Sequence, residues 1–470
     1  MDGAEVHESS TSLDVDTDWE GMRETYLKLL ECGSEVCRIR GTILLGKRSK
    51  IAPETVLEPL VPILVEHLDV AQFDHPRSIQ EAAAYCIMCF ARRSDNLCRL
   101  IGQSGAVQHL LRLLVQSEAG HRKTLARSLR EIIICSSQNR MILIRHNGLQ
   151  VVISLMDSSS GTTRRCFAEI LSAMAMLRDM RRAIVGTGSL PLLIEAAGVG
   201  VMASRARAVT AIGMIGRTRT SRQLLVDAGV IPVLVGLMRE GDPTLKIVAA
   251  NTLGIVSAHV DFIRPVALAG AIPLIVELLE GTESIGKEIA EDVLCVLAVA
   301  EENAVAIAAH MVTILRQSND AAKAAAVDVL WDLSSYKHSI PVVRVSGAVP
   351  LLLENLQVGT AEIRERVSGA VAQLSYDEDD RRALADAGVI PILMRLLRDE
   401  SEEVKDNAAE ALINFSEDPL LRERISEAFD TPTFQDTVNR LVRIHRTDEH
   451  INQSLRRMAD EQLAREHEYG

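Results

Sequence analysis

From Ala228 the chain reads AGVIPVLVGLM, with apolar residues recurring at helical spacing behind one glycine. The line returns as AGAIPLIVELL from Ala269, SGAVPLLLENL from Ser346 and AGVIPILMRLL from Ala387. Weaker copies are SGAVQHLLRLL from Ser104, NGLQVVISLM from Asn147 and TGSLPLLIEAA from Thr187. The marker glycines are Gly105, Gly148, Gly188, Gly229, Gly270, Gly347 and Gly388, separated by 43, 40, 41, 41, 77 and 41 residues. A fixed period of about 40 residues marks stacked helical units, and the long interval spans two periods with one copy worn down. Each line predicts a turn. Glycine ends one helix in the left-handed conformation, and proline, where present, suits the first turn of the next because it lacks a backbone donor.

A second element precedes each marker. It reads AAAYCIMCF from Ala82, LARSLREII from Leu125, FAEILSAMA from Phe167, AVTAIGMIG from Ala208 and AANTLGIVS from Ala249. It continues as AEDVLCVLA from Ala290, AVDVLWDLS from Ala326, VSGAVAQLS from Val367 and AAEALINFS from Ala408. Small residues at its start let helices approach closely, and the later leucines and isoleucines fill a core. These units resemble the armadillo repeat family of β-catenin and importin-α, whose third helix reads AAxALxNLS, over roughly residues 30 to 425. The style of the GVIPxLVxLL line is most similar to plant armadillo proteins, including those attached to a U-box. Residues 1–80 are too short and too polar to hold a U-box ahead of the first repeat. The resemblance implies an all-α, right-handed superhelical solenoid of about nine or ten repeats.

Boundaries follow from where the pattern changes. Residues 1–20 lack apolar periodicity and are expected to form an acidic disordered tail, residues 21–430 the solenoid, and residues 431–470 C-terminal capping helices and a tail. One repeat near 297–331 is degenerate, because Ala309-His310-Met311-Val312-Thr313-Ile314-Leu315 replaces the glycine–proline line. A short first helix is expected to be missing there.

Composition narrows the function. Of 470 residues, 47% are hydrophobic but only 3% aromatic, which suits helix stacks of Ala, Leu, Ile and Val rather than a platform for stacking bases. The net charge of −13 argues against nucleic acid as a partner. No apolar run approaches the roughly 20 residues that span a bilayer, and eight scattered cysteines form no disulfide framework. The expected setting is the cytosol or the nucleus.

Catalytic chemistry has no candidate. Gly41-Thr42-Ile43-Leu44-Leu45-Gly46-Lys47 begins like a phosphate-binding loop, but Arg48 stands where Ser or Thr must hold magnesium. Cys86-x-x-Cys89 has metal-ligand spacing without a second pair, and on an apolar helix it reads as core. Neither a cofactor nor a metal is expected.

The informative positions are those the resemblance places on a concave groove lined by third helices. There the family carries an asparagine that holds the backbone of an extended peptide, and importin-α adds a tryptophan four residues earlier. Here only Asn414 keeps the asparagine and no tryptophan stands in its register, so a nuclear-import receptor is not expected. The groove registers instead carry Asn251, Asp292, Asp328, Asp332, Gln373, Glu410 and Asn414, with Asp377 one turn further on. They point to a non-enzymatic scaffold holding an extended basic or mixed-charge segment of a protein partner. An adaptor recruiting substrates to a ubiquitin ligase in trans, or a cytoskeletal or trafficking scaffold, fits the same fold. A second surface is basic: residues 161–222 hold ten arginines against three acids. Arg164, Arg165, Arg178, Arg181, Arg182, Arg217, Arg219 and Arg222 form either a patch for an acidic partner or a solvated rim, where arginine favours helix C-termini.

Overall fold

The computed structural model describes residues 18–69, 76–118, 120–334, 339–429 and 431–441. The expected acidic tail as far as residue 17, the connection at 70–75 and the expected C-terminal cap and tail from residue 442 lie outside these. Among the described residues the chain is helical, with no strand, and it is an all-α solenoid. Two compact units divide it, residues 1–233 and 234–470.

Each unit is a row of long helices carrying the second sequence element. In the first unit these are α1 (Glu35–Arg48), α2 (Pro76–Ala91), α3 (Arg122–Cys135), α4 (Gly161–Ala175) and α5 (Met202–Ile215). In the second they are α6 (Pro243–Ser257), α7 (Ser284–Leu297), α8 (Asp320–Ser334), α9 (Ala361–Leu374) and α10 (Glu402–Phe415). Within each unit every long helix packs against the next. Small residues set that spacing. A β-carbon on Gly254 of α6 would stand 2.6 Å from Val293 of α7, and one on Gly369 of α9 would stand 2.8 Å from the Trp331 ring of α8.

Between successive long helices lies a pair of short ones, and the core is the space these three enclose. In one repeat Leu97, Ile101, Leu110, Leu114 and Leu129 are fully buried and Leu125 nearly so. A short pair bends sharply to do this: helices Val260–Leu268 and Ala271–Leu279 meet at 85°. Gly270 makes the bend at φ +84°, in the left-handed region a β-carbon disfavours.

Two expectations need correction. Gly148 is not the turning residue of its repeat: Asn147 takes the left-handed conformation at φ 56°, and Gly148 is already helical. Asparagine is the side chain best suited to that role after glycine, and this register makes the two adjoining intervals 42 and 41 residues (147 minus 105, 188 minus 147). The degenerate repeat has one helix fewer, as expected, but by fusion of the short pair rather than by loss of the first helix. A single 17-residue helix, Glu301–Gln317, replaces the usual pair, since no glycine or proline interrupts it. Its Met311, Ile314 and Leu315 fill the core just as the second short helix does elsewhere. At the far end, helix Pro419–Phe429 is followed by a helix over 432–441, which buries Phe434 and directs Arg440 onto Asp406 of α10, Nε to Oδ1 3.0 Å.

Two glycines separate conformation from space. Gly347 (φ +82°) and Gly236, inside helix Val230–Glu240, both have open space where a β-carbon would stand. Gly347→Ala is expected to lower stability by about 1–2 kcal/mol through left-handed strain alone. Gly236→Ala should raise it by up to about 1 kcal/mol through helix propensity. Urea denaturation of both variants checks the pair; equal and opposite signs from those stated would refute the turn assignment.

Candidate functional site

In the second unit the groove registers fall on α6 to α10, but their side chains divide into two sets. Asn251 and Asp292 are exposed, and Asp332 is exposed while accepting a hydrogen bond from the Cys295 thiol at 2.9 Å. Gln373 is half-buried. The others are engaged by the fold. Asp328 is ion-paired with Arg366 of α9. Asp377 is the N-cap of helix Glu378–Asp386, accepting from the Asp379 and Asp380 amides at 3.0 and 3.1 Å. Glu410 accepts the Tyr376 hydroxyl, which pushes that phenol up to about 12. Asn414 is only 8% exposed and donates its amide to Ser375 Oγ at 2.9 Å.

What the structure brings together is a tighter cluster than the register alone suggested. Glu291, a half-buried residue of α7, is absent from the register positions. Its carboxyl is held above the usual carboxylate range by burial first, then by the negative charges of Asp292, Asp332 and Glu288, against the lowering effect of Arg366. Burial and same-sign charge also push the Cys295 thiol up, helped by its bond to Asp332. Beside this group a cleft of about 520 Å³ is lined by Glu280, Ser284, Lys287, Glu288, Glu291, Asn319, Glu362 and Arg366. Next to Asp332 the Trp331 ring covers Gly369 and remains 38% exposed. The arrangement offers carboxylates and one aromatic face, groups that attract cations. Among the described residues no group of three or more His, Cys, Asp or Glu is placed to hold a metal ion.

The basic stretch in the first unit also divides. Arg181 donates to the Ala175 and Met176 carbonyls at 3.1 and 2.8 Å, closing the C-terminus of α4. Arg140 does the same for Ile133 and Ile134 of α3, and in the second unit Arg381 and Arg422 reach Ser375, Tyr376 and Ser416. Arg222 stands in that register too, its Nε and Nη1 buried with no hydrogen-bond acceptor. Arg164 pairs with Glu195, Nη2 to Oε2 2.7 Å, and donates to the Met156 carbonyl. Arg165, Arg178, Arg182, Arg217 and Arg219 are exposed, Arg182 lying 3.8 Å from Asp179. Thus the arginine caps are structural, worth more than ordinary hydrogen bonds because the donor is charged and the helix end is negative. Their 41-residue recurrence, Arg140, Arg181, Arg222 and again Arg381, Arg422, was the sequence signal for this role.

Glu131 and Glu169 hold groove registers in the first unit, and both are neutralised. Glu131 accepts from Arg92 and Arg130 at 2.6 Å each, and buried Glu169 faces Arg130 at 3.3 Å while accepting the Val201 amide. The exposed acidic cluster is therefore a feature of the second unit.

Residues 220–258 and 377–416 match the profile of the Armadillo/beta-catenin-like repeat. The chain is similar in structure to an engineered protein solved by a structural-genomics consortium, with a TM-score of 0.62, 23% identity, 83% of this chain and 98% of that one covered. No curated protein matches the chain. The narrower likeness to plant arrays associated with a U-box has no support in either match. Solenoids of this kind are in general protein-binding and typically non-enzymatic.

A pH dependence follows from Asp380, 3% exposed and 3.1 Å from Arg344 Nη1. Burial, with Asp377 and Asp379 adding to it, lifts its pKa from 3.8 to about 6 despite Arg344. The folded state then holds more protons than the unfolded state between those values, so this carboxyl's contribution falls as pH rises through them. Relative to Asp380→Asn, the wild type should lose stability from pH 4 to pH 7, by at most about 3 kcal/mol. Denaturation midpoints of both proteins across that range test it; parallel curves would contradict the assignment.

Proposed function

We propose that the protein is a non-enzymatic scaffold whose second unit receives an extended basic or mixed-charge segment of a partner protein across α7, α8 and α9. The observation that carries this reading is the half-buried Glu291 carboxyl, set among Glu288, Asp292 and Asp332 and opposed by Arg366, beside a cleft that Glu280, Glu288 and Glu362 also line. A lysine or arginine entering there would relieve repulsion that the isolated chain retains. Gln373 and Asn251 lie in the flanking registers, with amide groups able to bond a backbone. The same surface would serve a substrate-recruiting adaptor beside a ubiquitin ligase, or a cytoskeletal or trafficking scaffold; the captured partner distinguishes them. On this reading the protein works in the cytosol or nucleus, where its eight unpaired cysteines are ordinarily reduced.

The test uses Asp292→Lys with Asp332→Lys and leaves Asp328 alone, because Asp328 anchors Arg366. Titration with extended peptides mixing lysine, arginine and apolar residues should show affinity reduced about tenfold or more, equivalent to about 1.4 kcal/mol. Capture from native extract should lose the same partner class. Unchanged affinity and an unchanged set of captured proteins, in a variant that melts like the wild type, would remove the groove assignment.

A further inference from the structure

In the second unit the terminal helix over 432–441 is held at its far end by ion pairs. Arg440 there reaches both Glu402 and Asp406 of α10. Its near end borders a cleft of about 290 Å³, lined by Met394, Arg395, Leu397, Arg398, Thr431 and Thr433. Arg395 belongs to the last turn of helix Val389–Leu396, and Arg398 to the turn that follows it. Both are exposed, and among the described residues neither guanidinium makes a hydrogen bond or an ion pair. By contrast Arg364, Arg366, Arg381, Arg382 and Arg440 of the same unit each face a carboxylate. No acid lines the cleft among the described residues. Two unpaired guanidiniums beside two hydroxyls form a donor set for a phosphate, whose oxygens match the guanidinium fork.

Thr431 offers that phosphate a point of attachment. It stands before Pro432, and of the chain's 14 prolines this is the only one that follows a serine or threonine. Proline disfavours helical backbone at the residue before it, so Thr431 approaches the helix on an extended stretch. Its side chain is half-buried at the cleft, and Oγ1 accepts from the Phe434 amide at 3.4 Å. A hydroxyl on an extended residue followed by proline is the substrate of a proline-directed kinase.

We infer that Thr431 is a phosphorylation site for a proline-directed kinase, and that Arg395 and Arg398 receive the phosphate. Thr431 Oγ1 attacks the γ-phosphorus of a nucleoside triphosphate. The bond from that phosphorus to its bridging oxygen breaks, the nucleoside diphosphate leaves, and the hydroxyl proton passes to a base of the kinase. The phosphate then accepts charge-assisted hydrogen bonds from two guanidiniums that had none. These fasten the near end of the terminal helix to helix Val389–Leu396, so that firm docking of the helix depends on a kinase.

The test incubates the full-length protein with ATP and a proline-directed kinase, then applies peptide mapping and hydrogen–deuterium exchange. A phosphate is expected on Thr431, with exchange in residues 431–441 slowed about tenfold. Arg395→Gln with Arg398→Gln should still take the phosphate but show no slowing, and because both positions are exposed the fold should tolerate the change. Inorganic phosphate added to the unmodified protein should leave exchange unaltered. Slowing by free phosphate, lost in the double variant, would make the cleft a site for the soluble anion and remove the assignment to Thr431. No phosphate on Thr431, phosphate on Thr433 in its place, unchanged exchange after phosphorylation, or equal slowing in the double variant would overturn the proposal.

Discussion

The stack depends on one backbone constraint, repeated along the chain. A short helix must stop and the next must start at a steep angle, so that both can lay an apolar stripe against the same long helix. A single left-handed residue supplies the turn, and the position accepts little besides glycine because a β-carbon meets the following carbonyl oxygen. Gly105, Gly188, Gly229, Gly270, Gly347 and Gly388 all have positive φ, and Asn147 fills the role in the remaining copy. Where no such residue exists, as between Glu301 and Gln317, helical hydrogen bonding simply continues and the pair becomes one helix.

Once that geometry is set, charge is distributed by what the helix ends require. Ten long helices present free carbonyls at their C-termini, and an arginine from the following short helix answers several of them. Arg140, Arg181, Arg381 and Arg422 are therefore part of the frame, as Asp377 is on the opposite end of a helix. Ion pairs such as Arg366 with Asp328 fix neighbouring helices in register. Asp292, the half-buried Glu291 and Asp332, which holds the Cys295 thiol, have no such ion pair, and their mutual repulsion sets the site apart.

Much of the fold was legible in the sequence because periodicity reports burial directly. The third-helix lines from Ala82 to Ala408 all lie on long helices, and the opening segment around Gly41 proves to be another, α1. A one-residue slip at Gly148 arose because asparagine can hold a left-handed turn, so the glycine beside it was a decoy. In the degenerate repeat the missing glycine indicated one helix fewer, but not that the two short helices run on as one. At the candidate site, register identified which face was acidic but not which acids were free: Asn414, Asp377 and Asp328 look equivalent to Asp292 until their partners are known. Glu291 escaped notice altogether, since partial burial beside three other acids is a property of packing between helices rather than of spacing along one.

Binding of an extended segment requires the carboxylates of α7 and α8 to form a continuous recognition surface with α9. Hydrogen–deuterium exchange, read by peptide mass spectrometry with and without a saturating bound segment, tests this most directly. The account predicts added protection on three consecutive long helices, Ser284–Leu297, Asp320–Ser334 and Ala361–Leu374, with none on α3 to α5. Protection confined to a single helix, or found only in residues 122–215, would contradict it.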